Sequence, residues 1–390
     1  MTQRRKNIVL LGATGSIGEN TLKVLRAYPD RLRLLGIAGK RQFGPLAAIA
    51  REFEVPHACL FDADACQQAQ EAGAFPEGTR LVSGMEGLTE VACLDEADLV
   101  VMAVVGCTAL EPALAALEKG VSLALANKEL LVMAGKFVTE AARRNGAELL
   151  PVDSEHNAIY QCLHGNPHEG LDRIILTASG GMFRDKTLAE MAEAKPEQAL
   201  QNPNWDMGPK VTVDSSTMAN KGLELIEAHW LFGLPSARID VVVHPQSIVH
   251  SMVQFLDGAI LAQLSPPSMT FAVQHALFHP ERLNGVQPTL DFNQTFQLDF
   301  RPPDLTRFPC LRLAREALEA GGCAPAVFNA ANEIAVDAFL DNRLPYLAIP
   351  RCIEQVLGEF RGTEPTALGA VLKADAEARA LARESLHQLV

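Results

Sequence analysis

The chain has 390 residues, 48% hydrophobic and 21% charged, an ordinary balance for a globular protein with a large core and two or three domains. A formal charge of −13 with no basic run argues against nucleic acid as a partner, and no apolar stretch is long enough to span a membrane. Eight scattered cysteines form no C-x-x-C pair, so reduced core thiols are expected rather than disulfides or zinc. Residues 1–7 carry three basic side chains but no apolar leader pattern, and the expected location is cytoplasmic.

Residues 7–11 form a short apolar run, followed by a glycine loop and a helix ending near Tyr28-Pro29. Residues 32–38 read as a second strand, 45–53 as a helix and 55–61 as a third strand. Short helical patterns follow at 65–71 and 86–94. The continuous apolar run 99–105 suits a strand buried on both faces. A helix at 108–119, a buried strand at 121–126 and a long helix at 128–144 continue the alternation. This pattern predicts an α/β N-terminal domain over residues 1–152, a doubly wound (Rossmann-like) parallel sheet.

The pattern then changes. Strands are predicted at 173–177, 211–213, 239–244, 248–255 and 259–264, with a helix at 217–232, giving an α+β catalytic domain over 153–283. Residues 284–308, rich in Pro, Asp and Asn, read as a linker. Helical patterns at 309–320, 325–340, 347–360 and 366–388 make residues 309–390 a C-terminal helical bundle.

Gly12-Ala13-Thr14-Gly15-Ser16-Ile17-Gly18 has the spacing G-x-x-G-x-x-G between a strand and a helix. Glycines there let backbone N–H groups approach a pyrophosphate at the helix N-terminus. A carboxylate for the ribose 2′-hydroxyl of NAD is expected about twenty residues on. Gly39-Lys40-Arg41 stands there instead, and two bases attract the extra phosphate of NADP. Asn127-Lys128-Glu129 follows a buried strand, where ligands of open α/β sheets bind.

Asp153-Ser154-Glu155 follows the apolar run 147–152, and Glu224 lies one helical turn after Asn220 and Lys221. Oxygen donors of this kind suit a hard divalent cation, Mg²⁺ or Mn²⁺, beside an anionic substrate. Taken alone, the same residues also fit a strand-end turn and an exposed Lys221–Glu224 pair of little energetic weight. Ser179-Gly180-Gly181 offers a hydroxyl and backbone N–H groups to a phosphate, or simply a turn. Ser215 is an N-cap candidate for the next helix. Trp205, in an aperiodic segment, reads as a lid or a packing anchor. His244 reads as structural, and His250, in an alternating strand, as either structural or functional.

Together these motifs resemble the 1-deoxy-D-xylulose 5-phosphate reductoisomerase family over almost the whole chain. The marks are the Gly12–Gly18 loop, Asn127-Lys128-Glu129, Asp153-Ser154-Glu155-His156, Ala178-Ser179-Gly180-Gly181 and Pro203-Asn204-Trp205-Asp206-Met207-Gly208. Further marks are Val213-Asp214-Ser215, Asn220-Lys221-Gly222-Leu223-Glu224, His244-Pro245-Gln246-Ser247 and Asn329-Ala330-Ala331-Asn332-Glu333.

The resemblance implies an NADPH- and metal-dependent enzyme acting on a small sugar phosphate as a homodimer. It implies Asp153, Glu155 and Glu224 as ligands of Mg²⁺ or Mn²⁺, and Ser179, Ser215, Asn220 and Lys221 as phosphate binders. Lys128 and Ser154 would contact the sugar backbone, Lys128 and the metal-binding carboxylates would carry the chemistry, and Trp205 would cover the site. Thr14, Gly15, Ser16, Ile17, Gly39, Lys40, Arg41, Asn127, Glu129 and Gly208 would contact NADPH. His250 and Met269 match positions near the substrate and the nicotinamide. Two places depart from the family. Asn202 stands where a histidine is usual, and Pro267-Ser268-Met269-Thr270 replaces Pro-Asp-Met-Arg. The alternatives are an NADP-dependent dehydrogenase of the homoserine or semialdehyde type and a non-catalytic dinucleotide sensor.

Overall fold

The computed structural model describes residues 4–202, 204–205, 207–362 and 364–389. The chain begins β1 (Lys6–Leu11), α1 (Ser16–Ala27), β2 (Leu32–Gly39), α2 (Phe43–Glu52), β3 (His57–Leu60), α3 (Ala63–Glu71), β4 (Arg80–Ser83) and α4 (Gly84–Ala92). It continues with β5 (Leu99–Met102), α5 (Leu110–Glu118), β6 (Ser122–Leu125), α6 (Lys128–Asn145), β7 (Leu149–Pro151) and α7 (Ser154–Leu163). Then come β8 (Leu171–Ala178), α8 (Leu188–Ala192), α9 (Pro196–Ala199), α10 (Pro209–Thr217), α11 (Ala219–Phe232), β9 (Ile239–Val243), β10 (Val249–Phe255) and β11 (Ile260–Leu264). Helices α12 (Met269–Phe278), α13 (Pro309–Ala320), α14 (Ala324–Leu340), α15 (Ala348–Glu359) and α16 (Leu368–Leu389) follow.

Contacts divide the described residues into two units. One takes residues 4–130, 136–157 and 268–289, and the other takes the rest. In the first, seven strands lie in the order β4-β3-β2-β1-β5-β6-β7, all parallel. Ile8 to Leu11 of β1 and all of β5 are buried, as the unbroken apolar runs require. The doubly wound expectation therefore holds. β1 and β5 are neighbours that lead away in opposite directions across the sheet, so the switch point lies at their carboxyl ends. β4 is a strand the sequence reading lacks: it is short, at the sheet edge and only half-buried. Helix α12 also joins this unit. Ser268 caps it by accepting from the Thr270 N–H, and Thr270 Oγ1 donates to Asn20 on α1 at 2.6 Å. The sequence boundaries at 152, 283 and 308 differ from this division.

The second unit has a four-stranded sheet, β11-β10-β8-β9, with β8 parallel to β9 and antiparallel to β10. Helices α10, α11 and α13 to α16 share one core with it, centred on Phe328 and Phe339. The strand predicted at 211–213 is corrected to helix. Pro209 at the first helical position starts α10, and Met218 at φ +61° ends it. Val-Thr-Val mimics strand alternation only over three residues.

Gly222 sets the distance between α11 and α13. A Cβ there would sit 2.5 Å from the Ala314 Cβ. Gly222→Val is expected to destabilise the fold by about 1–3 kcal/mol through overpacking, measured as a lower denaturant midpoint at unchanged m-value.

Candidate active site

In the first unit the glycine loop crosses the carboxyl end of β1. Gly12 has φ +94°, and a Cβ there would lie 2.3 Å from the Ala103 carbonyl oxygen beyond β5. A Cβ on Gly18 would lie 2.3 Å from the Ala13 oxygen. Only glycine permits the loop to pass so close to its neighbours. α1 then opens at Gly15 with no side-chain cap, which leaves its first-turn N–H groups, from Ser16 and Ile17 onward, for an anion. The arrangement fits a pyrophosphate. Gly39 ends β2 beside Thr14, and Lys40 and Arg41 follow it, both exposed. Arg41 pairs with Asp62 at 3.0 Å, a partner the sequence reading missed. Asp62 also caps α3 by accepting from Ala65 N–H. The signal for that role was its place directly before a helical pattern.

Asn127 joins two strand ends. Its Oδ1 caps α6 by accepting from Leu130 N–H at 2.8 Å, and its Nδ2 donates to the Val104 and Gly106 carbonyls after β5. Lys128 and Glu129 begin α6. Lys128 pairs with Asp153 at 2.5 Å, both nearly buried. Asp153 emerges after β7, and Ser154 Oγ donates to Glu155 at 2.6 Å. Asn157 Nδ2, one turn into α7, donates to the Pro151 carbonyl, which pins helix to strand end. Two carboxylates and an ammonium therefore collect at the carboxyl ends of β6 and β7. Oxygen donors of this kind fit magnesium or manganese. Met269 begins α12 in this unit.

In the second unit, Ser179-Gly180-Gly181 follows β8 with both glycines at positive φ. Gly181 N–H donates to Ser179 Oγ at 3.3 Å. A Cβ on Gly181 would lie 2.6 Å from the Ser215 carbonyl oxygen, so glycine brings the loop onto α10. Ser215 lies in the last turn of α10 and is not the N-cap expected of it. Arg184, missed in the sequence, donates to the Ser179 carbonyl at 2.9 Å. Across the Met218 bend, Asn220 and Lys221 both donate to Glu224 on α11. Lys221 is 3% exposed and Glu224 1%. This pair is not a surface pair. A buried pair must repay a large desolvation cost, so such pairs often mark functional sites.

Asn202 Oδ1 accepts the backbone N–H groups of Asn204 and Trp205, each at 3.0 Å. Asn204 Nδ2 donates to the Pro245 carbonyl and to Ser247 Oγ. Trp205 meets His250 edge to face, with ring centres 5.9 Å apart. Pro203 and Asp206 of this segment lie outside the described residues. Gly208 precedes α10 as its N-cap. His244 is structural: its Nδ1 donates to the Asp299 carbonyl, while Nε2 accepts from Ile248 and Val249 N–H. Burial pushes the Cys59 and Cys310 thiols up to about 12, so neither serves as a nucleophile near neutral pH.

A doubly wound sheet with a glycine loop at its switch point is the architecture of dinucleotide-binding oxidoreductases. Family models match the chain in succession: 1-deoxy-D-xylulose 5-phosphate reductoisomerase over residues 8–135, its C-terminal domain over 149–232, and the DXP reductoisomerase C-terminal domain over 264–381. The 1-deoxy-D-xylulose 5-phosphate reductoisomerase of Geobacillus kaustophilus is 50% identical over 383 residues, 98% of this chain and 100% of that protein. That of Cellvibrio japonicus is 47% identical over 396 residues, 98% and 99% of the two chains. Among solved structures, the reductoisomerase from Zymomonas mobilis in complex with NADPH matches with TM-score 0.92 at 43% identity, covering 98% of this chain and 99% of its own. A DOX-P reductoisomerase with NADPH, fosmidomycin and magnesium matches at TM-score 0.91 and 41% identity, with 98% and 99% covered. The chain belongs to the 1-deoxy-D-xylulose 5-phosphate reductoisomerase family.

Burial lowers the His250 pKa to about 4, against 6.5 unperturbed. Folding therefore favours the neutral ring. The stability this contributes is complete above pH 6.5 and is lost as the pH falls toward 4, on the order of 3 kcal/mol in all. His250→Gln should flatten the decline of thermal stability between pH 7 and pH 4.5 relative to the parent. Parallel melting curves for the two proteins across that range would refute the assignment.

Proposed function

We propose that this chain converts 1-deoxy-D-xylulose 5-phosphate to 2-C-methyl-D-erythritol 4-phosphate by isomerisation and NADPH-dependent reduction, in non-mevalonate isoprenoid biosynthesis. The observation that carries this reading is the full-length likeness to reductoisomerases, one of them solved with NADPH, fosmidomycin and magnesium. A homoserine-type dehydrogenase and a non-catalytic sensor account for neither that likeness nor the buried Lys221–Glu224 pair.

Asp153, Glu155 and Glu224 are the ligands of a divalent cation, Mg²⁺ or Mn²⁺. When bound, the cation supplies Lewis acidity for the rearrangement of the carbon skeleton, and NADPH supplies the hydride that reduces the resulting aldehyde. Lys128 polarises a substrate oxygen and sets the carboxylate of Asp153; Ser154 orients the sugar backbone, and Glu155 moves a proton at a substrate hydroxyl. Ser179, Ser215, Asn220 and Lys221 hold the phosphate, with Asn202 and His250 at its approach. Trp205 closes over the substrate and excludes water. Gly12, Thr14, Gly15, Ser16, Ile17 and Gly18 cradle the pyrophosphate of NADPH, and Gly39, Lys40 and Arg41 its 2′-phosphate. Asn127, Glu129, Gly208 and Met269 line the remaining cofactor contacts.

The enzyme works as a homodimer in the cytoplasm. Support for pairing comes from the edge strand β11, where Ile260, Leu261 and Leu264 are exposed on an unpaired sheet edge. Among the described residues no helix is long and apolar enough to cross a membrane.

Glu224→Gln keeps the volume and an acceptor for Asn220 but removes the charge. It should abolish turnover of 1-deoxy-D-xylulose 5-phosphate and weaken magnesium binding while NADPH affinity persists. Unaltered turnover and magnesium affinity in this variant would overturn the metal assignment.

Neutralising Lys40 and Arg41 together should weaken NADPH binding roughly tenfold to several hundredfold while leaving NADH binding unchanged, since a charge-assisted hydrogen bond contributes about 1.5–3 kcal/mol. The effect belongs at the lower end of that range because Arg41 already shares its charge with Asp62. Cofactor titrations decide it: equal loss for both dinucleotides would sink the assignment.

A further inference from the structure

The Asn329-Ala330-Ala331-Asn332-Glu333 motif on α14 has no place in the chemistry above. Asn332 is fully buried, and its Nδ2 donates to Asp214 Oδ1 at 2.8 Å. Asp214, 1% exposed, precedes Ser215 on α10 and also pairs with Lys210 at 2.9 Å. A carboxylate only accepts, so the orientation of the Asn332 amide is fixed by its partner. The opposite amide atom, Asn332 Oδ1, is buried with no hydrogen-bond partner. Such an orphaned acceptor costs about 1–3 kcal/mol. The position is held by its bond to Asp214: an apolar residue would remove the orphaned acceptor but leave a buried carboxylate oxygen without its donor.

A second contact reaches the same turn. Tyr346, just before α15, donates from its hydroxyl to the Ser216 carbonyl at 2.6 Å. Its ring packs edge to face on Phe183, with centres 4.7 Å apart, and Phe183 follows the Ser179-Gly180-Gly181 loop. The C-terminal helical segment thus grips both phosphate-binding pieces, α10 through Asp214 and Ser216, and the glycine loop through Phe183. Gly181 already touches Ser215 and Ser216, which leaves the two pieces little freedom to part.

We infer that Asn332 is a positioning residue for the substrate phosphate: it fixes Asp214, and through it the last turn of α10, so that the Ser215 hydroxyl faces the phosphate beside Ser179. Tyr346 serves the same turn through the Ser216 carbonyl. The inference rests on the assignment of Ser179 and Ser215 to the phosphate.

The test compares full-length parent protein, Asn332→Ala, the exchanged pair Asp214→Asn with Asn332→Asp, and Tyr346→Phe. Five quantities are read: the affinity for inorganic phosphate, KM and kcat for 1-deoxy-D-xylulose 5-phosphate, the NADPH dissociation constant, and Tm. Asn332→Ala should weaken phosphate binding and raise KM by about tenfold, the scale of one lost hydrogen bond to a charged group, with kcat and NADPH affinity little changed. The exchanged pair restores a donor and an acceptor across the same contact and should recover most of the loss. Tyr346→Phe keeps the ring and should raise KM and the phosphate dissociation constant in parallel, which provides the decisive variant if Asn332→Ala does not fold. A lowered Tm with phosphate affinity and KM unaltered would overturn the inference, as would an exchanged pair that folds but stays as weak as Asn332→Ala. A parent protein that binds inorganic phosphate but does not turn over the sugar phosphate would refute the proposed function, and the phosphate titrations alone would then judge Asn332.

Discussion

Withdrawing ionised side chains from water constrains the second unit more tightly than any other requirement. Asp214, Lys221 and Glu224 are all but inaccessible. Each must be answered by an opposite charge or a hydrogen bond, because a lone buried charge is far more costly than a poorly packed methyl group. Asn332 reaches Asp214 from α14, whereas Lys210 answers Asp214 within α10, and Asn220 and Lys221 answer Glu224 within α11. Where these helices meet, Met218 takes a left-handed conformation that a bulky side chain adopts only under surrounding restraint. The bend sets Ser215 on one helix and Asn220 and Lys221 on the next at either side of one corner, a shape suited to enclosing an anion.

Much of this was legible in the amino-acid order. The parallel sheet announced itself because strands buried on both faces are continuous apolar runs, and the C-terminal helices because their apolar residues recur with helical period. What failed was short or lacked contrast. β4 carries Arg80 and Ser83 and has only four residues, so no alternation could accumulate. α12 is apolar nearly all round and therefore shows no face. The 211–213 segment is a buried helical turn with a strand-like local pattern, and only Pro209 hinted at a helix start. Among candidate site residues, the glycine loop and the strand-end place of Asp153 were readable from order and spacing, whereas the burial of the Lys221–Glu224 pair was not. Asp62, Arg184 and Tyr346 were not, since each acts through a partner remote in the chain.

Asn202 shows why a departure from a family pattern needs geometry to interpret. Histidine and asparagine both offer an acceptor, and here Asn202 uses its Oδ1 on the N–H groups of Asn204 and Trp205. That is a local turn closed by a short amide side chain. Its Nδ2 points toward Ser215 Oγ at 3.5 Å, at the limit of a hydrogen bond. The residue thus shapes the segment bearing Trp205 and carries no charge toward Ser215. Ser268 and Thr270 have a similar logic: one caps α12 and the other ties it to α1, so the altered motif keeps its helix in place by local hydrogen bonds.

Because α12 belongs to the first unit, that unit is written in the gene in separate stretches. Its sheet is finished at residue 151, yet the helix that covers part of it begins at residue 269. During synthesis more than a hundred residues must leave the ribosome before the helix that packs against α1 exists, which at about 5–20 residues per second is a delay of several seconds or more. Through that interval the apolar surface that α12 covers on α1, β6 and β7 stays open to water. The order of the chain, rather than the stability of the finished protein, therefore sets how long this surface is open to aggregation.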